Sequence, residues 1–358
     1  MKKIPVEEAV GHVLAHDITE IKPGRHKGPA FKKGDVIKEE DIPHLKDLGK
    51  NSIYIWEKKP GYLHENEAAA RLADLAQGQG IERSEPVEGK INLMTGRSGL
   101  LKVDRERLTR LNQIEKVMMA TRHNNTPVRE GEQVAGTRVI PLIIQEEEIR
   151  TVEEKVGSEP LLKIKDFQEK RTAVITTGSE VFAGRIADKF TPIVREKLTC
   201  HGLQVIRTEL APDDREDIAR RILTAIEEGA EMVVCTGGMS VDPDDLTPAA
   251  IAEISTEVIT YGAPVLPGAM FMLAYREDIP LIGLPGCAMF SRTTVFDLIL
   301  PRLAAGENIT AREIAKLGHG GLCLGCEICR YPECGFGKFS YQFFTQLPEP
   351  GQKFVLLL

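Results

Sequence analysis

The chain has 358 residues, of which 42% are hydrophobic and 28% charged, with a formal net charge of −7. That length exceeds one ordinary core, so two or three domains are expected. The acidic balance argues against a protein held on nucleic acid by phosphate contacts, and no apolar run reaches the roughly 18 residues a membrane span needs.

Residues 1–80 read as an α+β region. A strand is predicted over 13–18, basic turns over 22–29 and 32–35, and a short helix over 39–48 ended by Gly49. A strand over 52–56 and a helix over 64–78, with Ala68, Ala69, Leu72 and Leu75 at helical spacing, complete the region. Residues 86–150 read as β-rich, with strands near 90–94, 116–120 and 138–144 and strong helix propensity over 105–111. The charged stretch that follows is taken as a boundary spanning 145–170.

From 171 the pattern becomes alternating strand and helix. Strands are expected over 172–176, 203–208, 231–235 and 281–284. A helix over 188–201 sets Ile193, Val194 and Leu198 on one face, with Gly202 as its stop. A second over 214–228 sets Ile218, Ile222, Ala225 and Ile226 together and closes at Gly229. A last helix over 288–300 is expected to stop at Pro301. Strand-helix alternation implies a parallel sheet covered by helices on both faces. The fold class is therefore α/β: a three-layer α/β/α domain with a mostly parallel sheet over 171–303, preceded by the β-rich N-terminal region. A cysteine-rich segment, 319–338, follows it.

Ligands of such sheets bind outside the carboxyl ends of the strands. Two loops leave that edge, 177–180 and 236–245. The second runs Thr236-Gly237-Gly238-Met239-Ser240 and leads to Asp244-Asp245-Leu246-Thr247-Pro248. Paired glycines after a strand let backbone approach a bound group, and a following helix start offers free N–H donors suited to phosphate. The acidic residues beside it then call for a shared metal ion. A plainer reading makes Thr247 the helix cap with Pro248 at the first helical position.

These residues resemble the molybdopterin-binding fold of molybdopterin adenylyltransferases, molybdopterin molybdotransferases and gephyrin. The resemblance rests on Thr177-Gly178-Ser179-Glu180-Val181, Asp188, Gly237-Gly238-Met239-Ser240-Val241, Asp245 and Thr247. It implies molybdopterin or its adenylate as ligand. Thr177, Gly178, Ser179, Gly237, Gly238, Ser240 and Thr247 would bind substrate, with Pro285 and Gly286 where relatives often carry Pro-Gly-Asn-Pro. Here Cys287 and Ala288 replace the last two. Gly-Gly-Met-Ser-Val, the start at 6–18 and Val128-Arg129-Glu130-Gly131-Glu132 resemble the molybdotransferase branch, although Gln133 stands where an aspartate is expected. That branch implies molybdate insertion with release of AMP, a homo-oligomer and a recipient molybdoenzyme. This sequence lacks the Ser-x-x-Asp-Gly-Tyr-Ala stretch that molybdotransferases carry. A pterin carrier or sensor therefore stays open. So does a nucleotide hydrolase similar to the competence-damage-inducible proteins, which the run from Gly178 to Ile186 and Asp244-Asp245-Leu246-Thr247 also resembles.

Glu180, Asp188 and Asp245 are the candidate catalytic residues, expected to converge on one Mg²⁺ bridging substrate phosphates, with Asp245 and Glu180 as its ligands. Asp188 has a second reading as the cap of its helix. Ser240 is expected to donate to phosphate and not to act as a nucleophile.

Cys323, Cys326, Cys329 and Cys334 fall within twelve residues. Four thiolates in one short segment meet the ligand count for Zn²⁺ or an iron–sulfur cluster, and Gly320, Gly321, Gly325, Gly335 and Gly337 suit a loop around a metal. Cys200, Cys235 and Cys287 are scattered singly, as reduced thiols are. With no signal-peptide core after Met1-Lys2-Lys3-Ile4-Pro5, a cytoplasmic protein is expected, with neither nucleic acid nor membrane as partner. The aromatics Phe336, Phe339, Tyr341, Phe343 and Phe344 are expected to pack on something.

Overall fold

The computed structural model describes residues 2–22, 26–55 and 60–338. Part of the basic turn (23–25), Trp56, and Phe339, Tyr341, Phe343 and Phe344 of the aromatic tail lie outside these. The chain divides into two units, Met1–Asp166 and Phe167–Leu358.

The first unit holds two cores. Ile4, Val6, Leu14, Ile18, Ile37, Leu45 and Ile53 close one of them. The strand predicted over 13–18 is not continuous: Val13 and Leu14 make single bridges to Val36 and Ile55, and the strand begins at Ile18. The helix Glu65–Ala76 belongs to the other core, where Ala68, Ala69, Leu72 and Ala73 pack against Ile91, Leu93 and Val134. The division within this unit thus falls between 55 and 62 and not near 80, because the alanine-rich face of that helix needs a sheet to cover. That sheet is antiparallel, in the order Ile81–Arg83, Lys90–Thr95, Gln133–Val139, Val117–Thr121. The charged stretch read as a boundary is a helix, Glu146–Val156, which buries Ile149, Val152 and Val156 at i, i+3 and i+7.

The second unit is one sheet with helices on both faces. Its elements are β1 (Arg171–Thr177), α1 (Ser179–Phe182), α2 (Phe190–Thr199), β2 (Gln204–Ala211), α3 (Arg215–Glu227) and β3 (Met232–Thr236). Then come α4 (Thr247–Ile254), β4 (Glu257–Tyr261), β5 (Met272–Arg276), β6 (Ile279–Leu284), α5 (Cys287–Phe290), α6 (Val295–Ala304) and α7 (Ala311–Lys316). The sheet order is β2-β1-β3-β6-β5-β4. The first three pairings are parallel and the last two antiparallel.

Alternate strand residues serve opposite faces. Val174, Val234 and Ile282 meet Val194 and Leu198 of α2 and Phe296, Ile299 and Leu300 of α6. Ala173, Ile175, Val233 and Cys235 meet Ile218 and Ile222 of α3 and Ala250 and Ile251 of α4. Each fully buried isoleucine contributes about 1.5–3 kcal/mol, so the two apolar layers fix which way every strand end faces. Gly202 and Gly229 end α2 and α3 at φ 75° and 97°, in the left-handed region their sequence positions suggest.

Two departures from expectation matter for the site. Strands β4 and β5 add an antiparallel edge. The last predicted helix is in two pieces, α5 and α6, and Pro301 lies inside α6. Proline has no N–H for the carbonyl four residues back. That carbonyl, on Asp297, instead accepts the Tyr331 hydroxyl at 2.9 Å. A donor from a distant segment allows α6 to continue past its proline.

Candidate functional site

The parallel register brings four strand ends side by side. Thr177 pairs with Ala211, Thr176 with Thr236, and Thr236 with Leu284. The loops after these residues therefore open from one edge, as the topology rule requires.

Threonine hydroxyls lock that edge. The Thr177 hydroxyl donates to the Thr236 carbonyl at 3.2 Å and lies 3.0 Å from the Thr247 hydroxyl. The Thr236 hydroxyl donates to Thr176 Oγ1 at 3.1 Å, which in turn lies 3.0 Å from Thr191 Oγ1. Thr176, Thr177, Thr236 and Thr247 are all buried, so these bonds form without competing water. Thr247 is the first residue of α4 and Leu246 occupies the cap position. The threonine spends its hydroxyl on Thr177 and not on capping, because the loop turns it inward.

The glycine loop follows. Gly237 and Gly238 have φ of 87° and 54°. A Cβ on Gly237 would fall well inside the Thr177 carbonyl oxygen, and one on Gly238 would lie 2.8 Å from Thr247 Oγ1. Backbone thus passes over backbone where no side chain fits. Gly178, at φ 144°, donates its N–H to Ala211 O at 3.1 Å. Met239 is buried, with its methyl end against Gly283. Its carbonyl and that of Ser240 both accept the Tyr261 hydroxyl at 3.1 Å. Ser240 donates its N–H to Asp245 Oδ2 at 2.9 Å, and Asp245 donates its own to Asp242 O at 3.0 Å. Burial, with Asp245 adding, pushes the Tyr261 hydroxyl above its ordinary value and keeps it a donor.

Asp213 completes the edge. Its Oδ2 accepts the Ser179 N–H at 2.7 Å, and its N–H donates to Ser179 Oγ at 3.3 Å. Neither Asp213 nor Tyr261 was among the expected site residues. Asp213 carried a signal: Asp213-Asp214 stands at a strand end before a helix, as Asp244-Asp245 does, and Asp214 caps α3. Tyr261 carried none, because it comes from the antiparallel edge.

The acidic residues do not close into a trio. Among the described residues, no three His, Cys, Asp or Glu groups stand together as metal ligands. Asp188 accepts from the N–H groups of Phe190 and Thr191 at 2.8 and 3.1 Å. Its carboxylate serves the start of α2, which corrects the expected convergence. Glu180, on α1, is exposed and turns its carboxylate back towards Gly178. Glu180, Asp213 and Asp245 are hard oxygen donors on loops that leave adjoining strands, the donor type that Mg²⁺ takes in ones and twos with substrate oxygens making up the rest. Gly286 is exposed with open space around its Cα, and Pro285 follows the end of β6. Cys287 is half-buried, and burial pushes its thiol up.

Cys323, Cys329 and Cys334 are half-buried and Cys326 is exposed. They lie in the irregular segment after α7, away from the strand ends in sequence. No helix among the described residues is long and apolar enough to cross a membrane.

Residues 173–305 match the family described as a probable molybdopterin binding domain, and residues 3–57 match a domain of unknown function. A molybdopterin molybdenumtransferase of Haemophilus influenzae is 27% identical over 154 residues, covering 40% of this chain and 37% of that protein. A CinA-like protein of Anaeromyxobacter sp. strain K is 36% identical over 81 residues, covering 23% of this chain and 20% of its own length. The chain thus spans well under half of either relative. The crystal structure of the molybdopterin biosynthesis enzyme MoaB from Thermus thermophilus is similar at 24% identity, with a TM-score of 0.35 over 38% of this chain and 98% of that one. By its own match, the 173–305 segment is a member of the probable molybdopterin binding domain family.

Proposed function

We propose that the second unit binds molybdopterin or its adenylate at the Gly237-Gly238 edge, and that the chain works in molybdenum-cofactor assembly as a molybdotransferase-like enzyme. The observation that carries this reading is the wedge of Gly237 and Gly238 against Thr177, with acidic residues on the loops either side.

The chemistry follows from charge. An anionic phosphate beside Asp213, Asp245 and Glu180 is repelled unless a cation intervenes. Glu180 and Asp245 would hold Mg²⁺ there, which when bound supplies Lewis-acid polarisation of a phosphoryl oxygen. The chain's own part is positioning. The glycine loop presents backbone to the phosphate, and the Asp245 carboxylate holds Ser240 N–H so that the turn keeps its shape. Asp213 does the same for Ser179. Ser240, exposed at the turn, donates its hydroxyl to phosphate. Cleavage of the adenylate's pyrophosphate, in which an oxygen of molybdate or water adds at phosphorus and AMP leaves on the broken P–O bond while molybdate is inserted into the pterin, fits a site built from positioned donors and carboxylates with no nucleophile of its own. A molybdoenzyme is the natural recipient of the product.

Calorimetry of the full chain with molybdopterin, and separately with its adenylate, tests binding with and without magnesium. Heat on injection is expected with both, stronger with magnesium. Flat traces with both overturn the reading. Adding molybdate to the adenylate complex and measuring AMP then separates a transferase from a carrier, which binds without release. The stretch shared with the CinA-like relative supports a second reading, hydrolysis of a pyridine nucleotide or ADP-ribose at the same edge. Turnover of those compounds, with no AMP released from the molybdopterin adenylate, would favour it.

A further inference from the structure

The segment from Gly320 to Lys338 is neither helix nor strand, yet it is held at several points. Gly337 donates its N–H to Gly320 O at 2.9 Å, which closes the segment into a ring. Leu266 donates to Gly321 O and Cys323 to Leu266 O, both at 2.8 Å. The Tyr331 hydroxyl reaches Asp297 O inside α6. Phe336 is buried, with its ring edge-on to Tyr331 at 6.2 Å between centroids, and Gly337 lies against Leu298.

Apolar burial does not account for the rest of the ring. Leu322, Leu324 and Ile328 are 63%, 84% and 73% exposed. Ordering backbone costs about 1–2 kcal/mol per residue, and among the described residues neither a ladder of backbone bonds nor a core of its own offsets that. What the ring does carry is four thiols. Cys323 and Cys334 rest against the core shared by α2 and α6, and the Cys329 sulfur lies 3.2 Å from the Thr293 hydroxyl. Cys326 is at the exposed turn, next to Gly325 at φ 63°. A hydroxyl on a cysteine sulfur is the kind of outer contact that orients a metal-bound thiolate.

We propose that Cys323, Cys326, Cys329 and Cys334 ligate a thiophilic metal centre, Zn²⁺ or an iron–sulfur cluster, that cross-links this closed ring beside the start of α6. In the present arrangement no three of the four sulfurs stand at ligand distance, so binding draws them in. The anchors permit this. They fix both ends, Tyr331 and Phe336, while the stretch carrying Cys326 and Cys329 is irregular and exposed. Four sulfurs satisfy tetrahedral zinc or the four corners of a cluster. The Cys329 sulfur meets Thr293 just before α6, and the Tyr331 hydroxyl meets Asp297 within it, so the segment is tied to that helix at two places. The proposal is independent of what the glycine edge binds.

The test uses the full chain purified without oxygen and with a thiol reductant present. Zinc, iron and acid-labile sulfide are measured per chain, and the reduced metal-free chain is titrated with Co²⁺. About one zinc, or iron with matching sulfide and visible absorption, is expected. Co²⁺ should give intense thiolate-to-metal bands of a tetrahedral sulfur site. The variants Cys326→Ser and Cys329→Ser should each lose about nine-tenths of the bound metal and of those bands. Cys200→Ser, an exposed thiol elsewhere in this unit, should lose none. Circular dichroism of each variant separates lost ligation from lost folding. Absence of zinc, iron and cobalt bands together overturns the proposal. So does full metal content in both ligand variants, or mass spectra with the four cysteines paired as disulfides under reductant.

Discussion

Replacing Gly237 by alanine tests whether the loop geometry is what defines the site. The residue sits at φ 87°, and an added Cβ would sit far inside contact distance of the Thr177 carbonyl oxygen. Ordinary contact needs about an ångström of further separation, and neither partner can yield it easily. Thr177 is bound to both Thr236 and Thr247, and the loop is held by Tyr261 and Asp245. A left-handed non-glycine residue costs about 1–3 kcal/mol, and overpacking against fixed backbone a further ~1–3. The expected loss is therefore about 2–6 kcal/mol, or roughly 4–24 °C in the midpoint of this unit. Gly286→Ala is the internal control, because that glycine has φ −52° and open space around it; its effect should stay below about 1 kcal/mol. Calorimetric unfolding gives the midpoints, and hydrogen exchange in peptides covering β1 and β3 shows that the change lies in the second unit. If Gly237→Ala and Gly286→Ala melt within a degree or two of each other, the wedge against Thr177 is not a constraint and the argument for the site fails.

Three further outcomes are expected. Asp245→Asn should leave the unfolding free energy within about 1–2 kcal/mol of the parent, since the Ser240 bond merely weakens. It should nevertheless abolish the magnesium-dependent part of pterin binding; unchanged calorimetry would remove Asp245 from the metal site. Thr177→Val leaves the buried Thr247 hydroxyl without its partner and should cost about 1–3 kcal/mol, whereas Thr177→Val with Thr247→Val together should cost less than the two singles added. Additive singles by urea unfolding would mean the two hydroxyls are not coupled. In the first unit, Glu65 is 3% exposed at the start of its helix, and burial, with Glu88 and Asp17 adding and Arg138 and Lys33 opposing, lifts its carboxyl from 4.5 to about 7. The folded state therefore prefers it protonated. That contribution, on the order of 3 kcal/mol, is complete below the unfolded value and is lost as pH rises through about 7. Glu65→Gln should flatten the decline and be more stable than the parent above neutral pH; an unaltered pH slope in urea unfolding would show that Glu65 is not its source.

Much of the second unit was legible from residues alone. The spacing of Ile218, Ile222 and Ala225 and the glycine stops at 202 and 229 depend only on local geometry, and the helices appear where they indicate. The parallel part of the sheet was also accessible, since strand-helix alternation implies it, whereas its antiparallel edge was not. The charged segment 146–156 did not show its helix, because three buried side chains stand beside eight exposed or half-exposed neighbours, and it is their packing against the helices 65–76 and 105–112 that makes a helix of it; the chain does divide within 145–170, after Asp166. Pro301 misled for a related reason: a local rule was overridden by one hydroxyl, that of Tyr331, from a distant segment.

The site divides the same way. That Gly237, Gly238, Asp245 and Thr247 lie on one loop between a strand and a helix start was readable, because backbone freedom, acidity and helix starts are properties of residue types in order. That Thr247 bonds to Thr177, that Asp213 holds Ser179, and that Tyr261 clamps the turn were decided by the register of parallel strands and by an antiparallel edge. Whether Asp188 meets Asp245 or caps its own helix is likewise a matter of three-dimensional separation. Sequence order determines which chemical groups a short loop offers, because their spacing there is covalent. Which groups from different loops meet depends on how buried layers align the strands, and that is settled only when the chain is packed.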